Sequence, residues 1–388
     1  MKKINGVLIL SPFFSPNIGG VESHLDDLVS ELNAHQIRSY VLTYSPLTTK
    51  SPYLSRETIG HCQIIRYKWF GYQVFPKLEK YPIFDFLYIT PYLLIRTFWW
   101  LLKNHKKVNL IHSQGFNAAF MGNILAKIFQ LKHLCSTHAV YENIGGISKQ
   151  ITVRVLSKCD QILCLSKASI DQLENWGVNP NKLSLYRYWI DLKNFSPVIP
   201  PPKLTFLFVG RLIAKKGIWV ILNTAAQLTS NKFIIVGNGP LESEVEEFSS
   251  KYKNIQYLGA VQNKNLPQIY HQANVFCIAS QYPEGYGRVI MEAVASGLPV
   301  IGSNMGAIPE ALDETVSLLF SPTLANFIKN INYLVKNPAK YSALQKKCRS
   351  YAQNKFSHKN FEIILKAYQK LLDTTQSPDA AQYPKHPN

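Results

Sequence analysis

Short apolar runs alternate along this chain with amphipathic stretches of helical period. Ile4–Leu10, Val41–Thr43, Ile64–Tyr67, Val108–Ile111, His133–Ser136 and Gln161–Leu165 read as strands. Val21–Leu32, Phe116–Phe129 and Ala168–Asn175 carry apolar residues at helical spacing between them. The alternation resumes with strands at Thr205–Val209, Phe233–Val236, Ile255–Leu258, Val275–Ile278 and Val300–Gly302, which completes the second sheet, and a helix at Ile218–Leu228. A last helical pattern spans Phe361–Leu372. Such alternation predicts an α/β protein built on doubly wound parallel sheets.

The break between the two series lies at Ser196–Lys203, where Pro200-Pro201-Pro202 forbids a helix or a central strand. A chain of 388 residues is also too long for one core. The expected domains are therefore 1–196 and 203–355, followed by a helical segment at 356–372 and a Pro- and Gln-rich tail at 373–388.

The net charge of +18 changes the list of partners. It favours an anionic one: a membrane surface, nucleic acid or a phosphorylated substrate. The lysines are spread along the chain without an RNA-binding or zinc-finger pattern, which excludes nucleic acid as the leading reading. The six cysteines show no metal spacing and read as small buried residues in a reducing compartment. Lys2-Lys3 precede a first strand and not a signal peptide, so a cytoplasmic location is expected. Ile83–Leu102 is strongly apolar, yet Asp85, Pro91 and Arg96 argue against a spanning helix. Two readings stay open there. One is a core helix of the first domain. The other is a peripheral helix on anionic lipid at the inner face of the membrane, anchored by Trp99-Trp100 and Lys103, Lys106 and Lys107.

Candidate chemistry concentrates in Ser280–Glu310, which reads as a loop, a helix from Arg288 and a buried strand. Glu284 stands in the loop and Glu292 on the apolar side of the helix, where an unpaired carboxylate is costly. Taken alone, Glu292 reads first as an acceptor of hydrogen bonds from a neighbouring loop. Gly210-Arg211 and Lys216 bracket a strand-to-helix loop and suit either a pyrophosphate clamp or a solvated basic loop. Gly19-Gly20 opens a helix, as a phosphate cradle or an ordinary connection would. Gly237-x-Gly239 lacks the third glycine of a dinucleotide fingerprint, since Glu242 stands there.

Taken in order, Glu284-Gly285-Tyr286-Gly287, Glu292-Ala293, Ala295, Gly297, Pro299-Val300 and Gly306…Pro309-Glu310 resemble the signature of retaining GT-B glycosyltransferases of family 4. Tyr286 replaces the usual Phe and Ala307 the second Gly. Tyr188-Trp189 stands where the family usually has Asn-Gly, ahead of Asp191, Phe195 and Pro197. The resemblance spans roughly residues 1–372. It implies the GT-B fold, an α/β architecture of two Rossmann-like, doubly wound parallel-sheet domains facing a central cleft. It also implies transfer of a sugar from a UDP- or GDP-linked donor, with retention and with no separate cofactor. Gly19, Gly20, Gly210, Gly285, Tyr286 and Gly287 would then line the donor site, with Arg211 and Lys216 on its phosphates and Glu292 on its ribose. Glu284 and the Gly306–Ile308 amides would face the donor sugar, and His138, after Thr137, would reach it from the first domain. The helix at 356–372 would cross back onto that domain. The acceptor would be lipid-linked or a glycan precursor. No metal is expected, since no Asp-x-Asp occurs. Rival readings are a glycoside hydrolase using Glu284 and Glu292, and an inactive nucleotide-sugar- or membrane-binding module.

Overall fold

The computed structural model describes residues 4–72, 74–78, 81–138, 141, 145–197 and 199–373. The tail expected at 373–388 lies outside them beyond Asp373. The first sheet contains β1 (Val7–Leu10), β2 (Ser39–Tyr44), β3 (Arg56–Ile59), β4 (Cys62–Tyr67), β5 (Leu110–Gln114), β6 (Lys132–Thr137), β7 (Gln161–Cys164) and β8 (Leu183–Leu185). Their order is β3-β4-β2-β1-β5-β6-β7-β8, and β3 alone runs antiparallel to its neighbour. The second sheet contains β9 (Thr205–Val209), β10 (Lys232–Val236), β11 (Ile255–Tyr257), β12 (Val275–Ile278), β13 (Val300–Ser303) and β14 (Ser317–Phe320), all parallel, in the order β11-β10-β9-β12-β13-β14. Both sheets are doubly wound.

Central strands are apolar on both sides because helices cover both faces. In β1, Leu8 and Leu10 pack with Ile111 beneath the helices Pro82–Asn104 and Gly115–Phe129. Val7 and Ile9 point the other way, into a core that includes Leu25 and Leu28 of the helix Gly20–Ala34. That same core continues through Val209, Ile290 and Met291 of the second domain. The sheet expected to end at Val300–Gly302 extends one strand further, to β14. Ser317 interrupts the apolar run of this half-buried strand and leaves it too short to stand out. The polar, mostly exposed β3 escapes the pattern for lack of an apolar run. All six cysteines are free and buried.

The helix Phe361–Asp373 packs on the first sheet, where the Tyr368 hydroxyl meets His112 Nδ1 at 2.7 Å. His112 Nε2 lies 2.8 Å from Ser136 Oγ, so both ring nitrogens are engaged. Burial pushes this imidazole from its ordinary 6.5 down to about 3. The folded ring therefore stays neutral where the unfolded chain already binds a proton. Its stabilising contribution is complete above about pH 6.5 and is lost as pH falls towards 3. We expect wild-type unfolding free energy to drop faster on acidification than that of His112→Gln, by about 1.4 kcal/mol per pH unit. Parallel slopes in denaturant titrations at several pH values would contradict this.

Candidate active site

The loop after β12 carries Glu284, whose side chain is almost fully buried. Both of its oxygens accept from the Lys216 ammonium, at 2.6 and 2.7 Å. Ser280 Oγ donates to the same carboxylate at 2.5 Å, and the Tyr282 hydroxyl at 3.0 Å. Lys216 also lies over the Tyr282 ring, 5.4 Å from its centroid. The ammonium reaches this place because Gly217 turns the chain at φ +72° and starts the helix Ile218–Gln227. A β-carbon at Gly217 would collide with the Ala279 carbonyl, so the two loops touch only through glycine. A buried carboxylate with three side-chain donors is compensated as charge burial requires.

Glu292 is held separately. It accepts from the Tyr270 hydroxyl at 2.9 Å and from Arg288 Nε at 3.0 Å, one helical turn away in Arg288–Ala295. Arg288 also pairs through Nη1 with Asp27 of the first domain. Burial raises both carboxyls, Glu292 above the usual range and Asp27 to about 6, despite the guanidinium between them. Neighbouring groups thus satisfy Glu292, and its partner Arg288 ties the domains together through Asp27.

From the first sheet, β6 delivers His138 one residue past Thr137. Its Nε2 lies 3.0 Å from Gln114 Oε1, which can only accept, so Nε2 carries the proton. Nδ1 then accepts from the Tyr188 hydroxyl at 2.7 Å, with Tyr186 at 3.3 Å. Burial lowers this imidazole to about 4, which keeps it neutral. Tyr188 also stacks on the buried ring of His24, at 4.0 Å, and Trp189 meets that ring edge-on at 4.9 Å. Tyr188-Trp189, in the place of Asn-Gly, therefore builds an aromatic wall against His24 and His138. The His138 carbonyl comes so close to Gly285 that a β-carbon there would lie 2.7 Å away. His138 of one domain and the Glu284 loop of the other consequently meet backbone to backbone.

The structure brings His138, Gly285, Glu284 and Lys216 to one cleft between the carboxyl edges of the two sheets, the usual place for ligands in open α/β folds. Gly20 faces the Arg288 side chain across the cleft, 3.9 Å from where its β-carbon would be. Beside Gly19 the space is filled by the Glu22 carboxylate. Gly210 follows β9, its amide donating to the Val236 carbonyl, and Arg211 comes next, exposed. Gly287 starts the helix Arg288–Ala295 at φ +69°. Tyr286 is not brought to the cleft: its ring is buried and meets Phe356 edge-on. The Ala307 and Ile308 amides do not face a ligand as expected. They donate to the Glu284 and Met305 carbonyls, because this segment closes its own turn. Sequence reasoning missed Ser280, Tyr282, Gln114, Tyr188 and the Asp27–Arg288 pair. Only Tyr188 left a sign, as a departure from the motif.

Residues 18–194 match the Glycosyltransferase Family 4 profile, and 190–355 match Glycosyl transferases group 1. The chain belongs to this glycosyltransferase family. Like other family 4 glycosyltransferases, it has the GT-B fold. Sucrose-phosphate synthase from Thermosynechococcus elongatus superposes with a TM-score of 0.78 at 21% identity, over 95% of this chain and 100% of that one. HepE of Anabaena, solved in complex with UDP-glucose, gives 0.72 at 17% identity, over 96% and 100%. In sequence the chain is 26% identical over 353 residues to one of the subunits of human phosphatidylinositol N-acetylglucosaminyltransferase, covering 85% of this chain and 68% of that protein. It is 24% identical over 378 residues to an uncharacterised glycosyltransferase of Methanocaldococcus jannaschii, covering 94% and 99%.

The two hydroxyl contacts to His138 Nδ1 differ in length, which sets an expectation for stability. Tyr188→Phe should cost about 1–3 kcal/mol of unfolding free energy by leaving a buried acceptor poorly paired, and Tyr186→Phe less. Equal costs for the two variants in urea titrations would contradict the assignment.

Proposed function

We propose that this glycosyltransferase moves a sugar from a nucleoside diphosphate donor, with retention at the anomeric carbon, to an acceptor borne on a lipid. The observation that carries this is the Lys216–Glu284 pair, held against His138 of the facing domain. As the bond between the anomeric carbon and the diphosphate oxygen breaks, negative charge gathers on the leaving phosphate. Lys216 and Arg211, from the loop after β9, supply the compensating charge. When Lys216 turns to a phosphate, Glu284 keeps the Ser280 and Tyr282 hydroxyls and is not left unpaired. Its oxygens then become available to donor-sugar hydroxyls. His138, neutral and fixed in one tautomer, would contact the sugar from the opposite side. Glu292 would take the ribose hydroxyls while Arg288 and Tyr270 hold it in place.

The UDP-glucose named with HepE and the phosphatidylinositol in the name of the human relative support the donor class and a lipid-borne acceptor. The saturation of Glu284 by donors also disfavours a hydrolase, which needs a carboxyl free to protonate a glycosidic oxygen.

Lys216→Ala or Arg211→Ala should weaken binding of UDP or GDP and leave the parent nucleoside nearly unaffected. Each charge-assisted contact is worth about 1.5–3 kcal/mol. Equal losses for nucleoside and diphosphate in calorimetric titrations would sink the phosphate assignment. With two cations in place, turnover should also persist in excess chelator. Activity abolished by EDTA and restored by magnesium or manganese would show that the leaving charge is met by a metal.

A further inference from the structure

The helix Pro82–Asn104 buries one face and presents the other. Tyr88, Ile89, Leu93, Thr97 and Leu101 lie in the core. Ile83, Leu87, Pro91, Ile95 and Trp99 recur every fourth position and are exposed, with Ile83 at 74% and Trp99 at 59%. Trp100 instead turns inward against Tyr40, ring centroids 5.0 Å apart, so the two tryptophans do not share a face. No helix among the described residues is long and apolar enough to cross a membrane.

A second helix, Gly146–Leu156, exposes Ile147 and Ile151 at the same spacing. Both helices pack against Gly115–Phe129 on one face of the first sheet, because Cys135, which underlies the second, pairs in register with Ser113 on the side of Ile111. Isolated exposed apolar residues need no explanation, but two helices showing such stripes on one layer do. The charge of this layer identifies what meets it. The three helices carry one acid, Asp85, against Arg96, Lys103, Lys127, Lys149 and Arg154. Asp85 accepts from Asn117 at 3.3 Å. Lys103 and Lys106 are exposed at the end of the first stripe, and Arg154 and Lys158 follow the second.

We propose that this helical layer is a docking face for an anionic lipid bilayer. The exposed aliphatic and aromatic side chains enter the headgroup boundary while the basic residues at its ends meet lipid phosphates. The topology gives the face a direction. The Pro82–Asn104 helix begins after β4 and returns to the start of β5, and Gly146–Leu156 begins after β6. The first turns of both helices, with Ile83, Phe84 and Ile147, therefore lie at the carboxyl edge of the sheet, where the cleft opens. Docking places the cleft rim at the bilayer, within reach of a headgroup whose tail stays in the membrane. The inference deepens the lipid-borne acceptor proposed above and rests on that reading for its purpose.

Flotation with phosphatidylglycerol–phosphatidylcholine vesicles tests it without donor or acceptor, so failure of the transfer reaction and failure of docking are read apart. The wild type should float with these vesicles at low salt, less as salt rises, and poorly with phosphatidylcholine alone. Leu87→Ser with Trp99→Ser should weaken partitioning about tenfold or more, since each change removes an inserted apolar side chain. The substituted residues are solvent-exposed, so the melting temperature should hold. Ile147→Ser with Ile151→Ser, on the other helix, and Lys103→Glu with Lys106→Glu, at the basic end of the first, should each weaken binding independently. A folded wild type that ignores phosphatidylglycerol vesicles at low salt overturns the proposal. So does binding that survives all three pairs of substitutions. Self-association lost in the Leu87/Trp99 variant, with no vesicle binding, would give the face to a second copy of the chain instead.

Discussion

The cleft depends on two sheets being held edge to edge, and the Arg288 guanidinium stands at that join, between Asp27 of the first domain and Glu292 of the second. Such a pair is a poor reservoir of stability. Desolvating both partners costs about as much as their attraction returns, and Asp27, raised to about 6, shows burial outweighing the nearby cation. What the pair provides is orientation, because removing either partner would leave a buried charge uncompensated. Hydrogen bonds beside it fix the same geometry from other directions. The Glu310 carboxylate accepts the Lys167 and Ala168 amides at the start of a first-domain helix, at 2.8 and 3.1 Å. Asn263 of the second domain donates to Ser23 of the first at 2.5 Å.

Once the domains are fixed, the cleft arranges a sequence of electrostatic partners. Lys216 is shared in principle between the Glu284 carboxylate and any diphosphate that enters, and the two oxygens it occupies would be freed by the exchange. That exchange is possible only because Ser280 and Tyr282 remain on Glu284. On the other wall, the neutral His138 adds no charge to the site. Its ring is fixed by Gln114 and Tyr188, so its position does not depend on the donor arriving. In the transfer proposed above, Lys216 would change partner as the donor binds while the other groups stay in place, so that charge compensation needs no reorganisation at the bond-breaking step.

Much of this was legible in the chain, for identifiable reasons. Strands such as Val275–Ile278 are buried on both faces, and their unbroken apolar runs are hard to mistake. Glu284, Glu292, Gly285 and Gly287 stood out because they fall in order within a longer stretch that resembles the family signature, whereas the two carboxylates alone would have read as satisfied acceptors. What escaped was whatever depends on contacts between distant segments. Tyr188 lies fifty residues from His138, and Asp27 lies 261 from Arg288, so no local pattern links them. The position of Lys216 suggests a cation for phosphate only through the family resemblance, and nothing near it in sequence points to its partner Glu284 in another loop. Edge strands such as β3 escaped because half-solvated backbone needs no apolar run.

The Pro82–Asn104 helix shows why composition could not choose between its two readings. Its apolar residues far exceed what one face against a sheet can bury, and sequence alone cannot assign the surplus. The structure divides it: Leu93 and Leu101 face the core, while Ile95 and Trp99 face outward. A helix serving only the core would have polar residues at the outward positions, as the outer face of Pro338–Lys355 does with Lys346, Lys347 and Ser350. Ile95 and Trp99 keep more than half of their surface in water, at 53% and 59%, and that exposed part adds nothing to folding. The docking proposed above gives the outward stripe a partner outside the fold. Because parallel-sheet topology puts the start of that helix at the carboxyl edge, whatever covers the stripe also stands beside the cleft.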